Sequence, residues 1–135
     1  MLLPSAWIPF GAGSPWSLHW DLLLSQWRAP GPAGSWRDHV RIGGIAVLRR
    51  AFGGGNSPRF AEAGLGATVL DRKYVTPTRA FSSHFQFTEV IGIGRRFGTN
   101  RAHEVSVRYQ HFSNAGIEKP NLGENFLRLR YAMRF

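Results

Sequence analysis

The end of the chain alternates between apolar and basic side chains. The odd positions from 127 to 135 are Leu, Leu, Tyr, Met and Phe, whereas three of the even positions are Arg. Successive residues of a β-strand point to opposite faces, so this strand has one apolar face and one basic face. Such a strand fits a soluble sandwich, with its apolar face in the core, or a membrane barrel, with that face toward lipid.

Turns rich in Gly and Pro divide the chain at similar intervals, which predicts an antiparallel meander. Strands of about ten to sixteen residues exceed the usual five or six and are long enough to cross a bilayer. Short turns alternate with longer loops, as in outer-membrane barrels. We therefore expect an all-β, antiparallel up-and-down outer-membrane barrel in one domain, 1–135. Residues 1–15 are irregular or the remnant of a lost strand, and six strands follow: 16–28, 37–52, 59–70, 82–97, 102–114 and 124–135.

The strands predicted at 16–28 and 82–97 repeat the alternation. Trp and Leu share one face of the first strand, and small or polar residues suited to a narrow barrel interior lie on the other. In the second, Phe85, Phe87, Ile91 and Ile93 share a face. Glu89 falls on that apolar face. A β-bulge or a slipped register is the predicted explanation, and a functional or oligomeric contact is the alternative.

The start of the chain and the strand count lead to one expectation. The first residues have no basic region, and Pro4 interrupts the apolar run, so they make a poor signal peptide. Closed single-chain outer-membrane barrels begin at eight strands. We therefore expect the chain to be N-terminally truncated, lacking a signal peptide and two strands, with the stretch around 6–8 as the end of a lost strand.

Composition excludes several classes of function. The chain has no Cys, which removes disulfide scaffolds, thiol catalysis and Cys-ligated zinc. Its 17 Lys and Arg against 8 Asp and Glu leave a net charge of +9. Nucleic-acid binders cluster such charges on one surface, whereas here Arg is spread through the predicted strands, so no nucleic-acid partner is expected. Nothing suggests a metal site or a cofactor.

One strand and the loop after it carry candidate chemistry. In His111-Phe112-Ser113 the imidazole and the hydroxyl point the same way, so His111 can act as the general base for Ser113. Antiparallel pairing with the next strand is expected to bring Glu124 beside His111 as the acid of a triad. The Asn114 amide and the backbone N–H of Gly116 are candidate oxyanion donors. Similar side-chain sets occur by chance, so these residues alone leave the function open.

The chain resembles the lipid A 3-O-deacylase (PagL-type) family of Gram-negative outer membranes. The resemblance rests on the block His111 to Ile117, on Gly123-Glu124-Asn125 and on the closing Leu127 to Tyr131. It implies an eight-stranded outer-membrane barrel with a lipid-facing site, and a serine-type esterase that removes the ester-linked acyl chain at position 3 of lipid A.

The same resemblance implies roles and partners. Ser113 is then the nucleophile, His111 the base, Glu124 the acid, with Glu118 as the alternative, and Asn114 an oxyanion donor. The implied partners are lipid A or lipopolysaccharide and outer-membrane lipid, without a cofactor or a metal, and homodimerisation stays open. Basic side chains near the outer rim would bind lipid A phosphates, and inward Arg would pair with Asp21 or Glu62. The alternative function is a non-catalytic small barrel that binds lipopolysaccharide or is structural.

Overall fold

The computed structural model describes residues 2–4, 13–120 and 122–133, which form one antiparallel sheet. Each strand pairs with the next along the chain, so the predicted meander of six long strands is confirmed, and a short strand precedes it. The strands are β1 (Leu2–Pro4), β2 (Trp16–Pro30), β3 (Trp36–Ala51), β4 (Arg59–Leu70), β5 (Phe85–Phe97), β6 (His103–Ser113) and β7 (Glu124–Met133).

The short strand β1 pairs with residues 19–21 of β2. The stretch around 6–8, predicted as the end of a lost strand, lies outside the described residues. Within the described ranges, no helix has the length and apolar character needed to span a membrane.

The outer wall of the sheet is apolar. Exposed and less exposed positions alternate along the long strands, and the exposed set includes Leu24 at 77%, Leu127 at 78% and Leu129 at 77%. Side chains that are this large, apolar and exposed on several neighbouring strands form a surface that water solvates poorly. The outer wall is therefore suited to contact with lipid.

The register at Glu89 differs from the prediction. Glu89 pairs with Leu65 of β4 and with His111 of β6, and both ladders run through it without interruption. Thr88 and Val90 on either side of it are buried, so the alternation is regular. The predicted bulge or slip is therefore wrong, and the Glu89 carboxylate lies on the outer wall.

The inner face holds a buried ion-pair network that joins strands β2, β3, β4 and β6. The Arg49 guanidinium lies 2.7 Å from the carboxylate of Glu62 and 2.6 Å from that of Glu104. Arg108 Nε lies 2.6 Å from Glu62, and a second nitrogen of Arg108 contacts Asp21. The expected pairing of inward Arg with Asp21 and Glu62 is thus observed. Multiple hydrogen bonds to each charge offset the cost of removing these groups from water.

The two ends of the sheet differ in their connections. At one end the turns are short, whereas at the other residues 71–84 and 114–123 form longer loops. An apolar cluster lies beneath the long loops, with Trp27, Phe112 and Phe126 in contact. It packs against Tyr74 and Phe81 of the first loop. Ser113 and Glu124 lie at this end because β6 ends and β7 begins there.

Candidate active site

His111 and Ser113 lie on the outer wall at the end of β6. They continue the outward row that contains Tyr109, while Gln110 and Phe112 between them are buried. This is the direction that their spacing predicts. No hydrogen bond joins the two side chains within the described part of the chain, and such bonds in unliganded enzymes are often long.

Asn125 orients the imidazole. His111 and Asn125 are directly paired across β6 and β7, and His111 Nδ1 lies 2.6 Å from Asn125 Oδ1. An amide oxygen only accepts hydrogen bonds, so Nδ1 donates the proton. The neutral imidazole then keeps its lone pair on Nε2, as a general base requires.

Gly123 gives the imidazole the space that it occupies. A Cβ atom at position 123 would lie 2.7 Å from Cε1 and 3.2 Å from Nε2 of His111. The φ angle of Gly123 is +66°, in the region that favours glycine. Any side chain at this position would therefore displace the ring.

Glu124 does not lie beside His111, so the predicted placement is wrong. Because side chains alternate along β7, Glu124 points to the inner side when Asn125 points out. The Tyr74 hydroxyl donates to the Glu124 carboxylate at 3.3 Å, and Arg79 Nε lies 3.6 Å from it. Burial and the charge of Glu124 raise the pKa of Tyr74 to about 12, so the phenol stays protonated and keeps donating. The alternative acid, Glu118, is exposed in the loop 114–123.

The two predicted oxyanion donors make hydrogen bonds within the loop 114–123 and to the neighbouring loop 71–84. The buried Asn114 amide donates to the backbone oxygen of Glu118 at 2.9 Å and to Ser82 Oγ at 3.2 Å. The Gly116 N–H donates to Asn114 Oδ1 at 3.0 Å. These contacts hold the loop 114–123 in place next to Ser113, and the oxyanion role of Asn114 and Gly116 stays a prediction.

No role for Asn125 was predicted from the sequence. Its outward direction could have been predicted, because strand alternation places Asn125 on the same face as Leu127 and Leu129. Pairing of β6 with β7 then places it beside His111. Among the described residues, no three His, Asp or Glu side chains are grouped closely enough to hold a metal ion.

An antiparallel meander with an apolar outer wall and an ion-paired interior defines a protein of the outer-membrane β-barrel class. The fold is similar to that of a solved structure described as the outer membrane enzyme PagL, with a TM-score of 0.75, 23% identity and coverage of 100% of this chain and 87% of that chain. The family described as Lipid A 3-O-deacylase (PagL) matches residues 5–134, and the chain belongs to this family.

Two relatives extend the comparison. The lipid A deacylase PagL of Bordetella bronchiseptica is 41% identical over 76 residues, which are 56% of this chain and 41% of that protein. The lipid A deacylase PagL of Pseudomonas aeruginosa is 30% identical over 105 residues, 78% of this chain and 57% of that protein. The chain thus spans about half the length of the curated relatives that it matches.

Proposed function

We propose that this chain is a lipid A 3-O-deacylase, a serine-type esterase that releases the ester-linked acyl chain at position 3 of lipid A. Membership of the family supports the substrate class. The observation that carries the chemistry is the hydrogen bond from His111 to Asn125 beside Ser113, on an apolar outer wall. The proposed location is the outer membrane of a Gram-negative bacterium, with lipopolysaccharide as the substrate and surrounding lipid as the other partner.

The substrate reaches the site from the membrane. Acyl chains of lipid A lie along the outer wall, and their ester groups lie at the height of the long-loop end, where Ser113 is found. Two exposed basic side chains of the loops, Lys73 and Lys119, are available to bind phosphate groups at that end. The substrate therefore does not need to enter the barrel interior.

The reaction has two halves. His111 Nε2 accepts the Ser113 hydroxyl proton as Oγ attacks the ester carbonyl carbon. The tetrahedral intermediate collapses, its bond to the sugar oxygen breaks, and the imidazolium returns the proton to that oxygen. In the second half His111 takes a proton from water as the water oxygen attacks the acyl-enzyme carbonyl carbon. The bond from that carbon to Ser113 Oγ then breaks, the imidazolium returns the proton to Oγ, and the fatty acid leaves.

Asn125 takes the orienting role that was predicted for Glu124. An amide oxygen that accepts from Nδ1 holds the tautomer and the ring orientation, as in Cys-His-Asn hydrolases. Glu124 anchors the loop 71–84 through Tyr74 and Arg79. Asn114 and Gly116 keep the loop 114–123 in place beside Ser113.

The test is mass spectrometry of lipid A from cells that express the full-length protein. Wild type should convert lipid A to a species that lacks one hydroxy-acyl chain, and Ser113→Ala should not. If cells that express the wild-type protein, folded in the outer membrane, contain only unmodified lipid A, the result would support the alternative, a barrel that binds lipopolysaccharide or is structural.

A further inference from the structure

Glu89 places a carboxylate on the lipid-facing wall, directly across from His111. The two residues are paired in the β5–β6 ladder, and both belong to outward rows. Side chains that are directly opposite in an antiparallel pair have Cβ atoms about 4.5–5.5 Å apart. The Glu89 carboxylate is therefore within reach of the imidazole from the side opposite Asn125.

Glu89 differs from the inward acidic side chains of the sheet. The inward carboxylates of Asp21, Glu62 and Glu104 all contact guanidinium groups. Within the described residues, the Glu89 side chain makes no hydrogen bond or ion pair. An ionisable side chain that faces lipid is costly, and such residues usually serve function and have a nearby partner.

His111 is the group near Glu89 that acquires a positive charge. The other outward side chains around the pair are uncharged: Phe87 and Ile91 on β5, Leu65 on β4, Tyr109 on β6, and Asn125 and Leu127 on β7. Asn125 orients His111 but brings no charge to stabilise an imidazolium. An apolar surrounding strengthens the attraction between opposite charges.

We infer that Glu89 supplies the negative charge that stabilises the His111 imidazolium during ester cleavage. This inference rests on the proposed function and deepens it. The acid of a Ser-His-acid triad has two tasks, which are to orient the imidazole and to stabilise its positive charge. In this chain Asn125 on β7 orients the ring, and Glu89 on β5 stabilises the charge. The proton taken from Ser113 stays on the imidazole until it passes to the leaving oxygen. Glu89 neither accepts nor donates a proton.

The experiment compares deacylation rates of purified full-length variants with lipid A in mixed micelles. Glu89→Gln keeps the shape and removes the charge, and it should lower the rate by about tenfold or more. Leu65→Gln is the matched control, since it introduces the same amide opposite Glu89 and should stay near the wild-type rate. Asn125→Asp in the Glu89→Gln background returns a charge to the other side of His111 and should restore most of the rate.

The outcomes separate this inference from the proposed function. A wild-type rate in Glu89→Gln, or a double variant as slow as Glu89→Gln, overturns the inference while Ser113-dependent activity still supports the function. An unchanged rate together with a changed oligomeric state would assign Glu89 to a subunit contact instead. An inactive wild type overturns both. Far-UV circular dichroism should show every variant folded, since each of the three positions lies on the outer wall and none belongs to the buried ion-pair network.

Discussion

His111 Nδ1 and Asn125 Oδ1 lie 2.6 Å apart, from directly opposite positions of β6 and β7. The bond joins two outward side chains at the end of the sheet where the loops are long. A neutral amide therefore sets the orientation of the proposed base, on the wall that faces lipid.

Replacing the nucleophile or the base should abolish activity without loss of stability. Ser113→Ala and His111→Ala should each lower the deacylation rate by at least about 10³-fold, because the two groups act as a unit. Both side chains lie on the outer wall and add little to packing. Tyr109→Phe, on the same outward row, is the control and should stay active. Retained deacylation in Ser113→Ala, measured by mass spectrometry of lipid A, would contradict the assignment.

Substitutions of Asn125 and Glu124 can show which of the two residues orients His111. Asn125→Ala removes the acceptor for Nδ1 and should lower the rate by about 10²-fold, whereas Glu124→Gln should retain most of it. Glu124→Gln should instead lower the melting temperature, because it weakens the contacts with Tyr74 and Arg79. A larger loss of rate in Glu124→Gln than in Asn125→Ala would restore Glu124 as the orienting acid.

Gly123→Ala should displace the imidazole. The new Cβ would lie 2.7 Å from His111 Cε1, and we expect the rate to fall by more than tenfold. Gly34→Ala is the matched control, because its φ is +74° and no atom lies within 4 Å of the added Cβ. Both variants carry a similar backbone strain of about 1 kcal/mol. Equal rates in the two variants would show that the space over Gly123 is unimportant.

The buried network should dominate stability. Glu62→Gln leaves Arg49 and Arg108 without a shared carboxylate and should cost about 3–5 kcal/mol of unfolding free energy. The exposed pair of Arg72 with Asp71 is a surface contact, so Arg72→Ala should cost about 1 kcal/mol or less. Urea unfolding of both variants provides the comparison. A Glu62→Gln midpoint equal to that of Arg72→Ala would contradict the structural role of the network.

Tyr74 should ionise near pH 12. Its pKa is raised, first by burial and then by Glu124, so its stabilising contact is present at neutral pH and is lost as the pH rises through about 12. The absorbance change of tyrosinate should show a late step that Tyr74→Phe removes. If Tyr74→Phe instead removes absorbance near the ordinary tyrosine pKa of about 10, the phenol is not held by Glu124.

Much of the fold was predictable because strand alternation is a local property. The bounds of β4 were predicted without error, and the outward rows of β2 and β5 followed from their apolar residues. The bulge or slipped register at Glu89 was wrongly predicted because an apolar row was assumed to exclude a charge. The inward direction of Glu124 follows from the same alternation, because its neighbour Asn125 lies on the outward row, and it was missed. The contacts of Asn114 depend on how the loop 114–123 folds, and loop hydrogen bonds carry no periodic pattern.

The division of β6 into two faces has a consequence for variation among sequences. Its inward residues, such as Glu104 and Arg108, belong to the charge network, whereas its outward residues lie on the wall that faces lipid. A mutational scan of β6 should therefore find Val105, Val107 and Tyr109 more tolerant than the inward residues between them, whereas His111 and Ser113 should stay intolerant because the proposed reaction uses them. Selection for a new acyl-chain length can then act on those three outward residues without touching the ones that keep the protein folded.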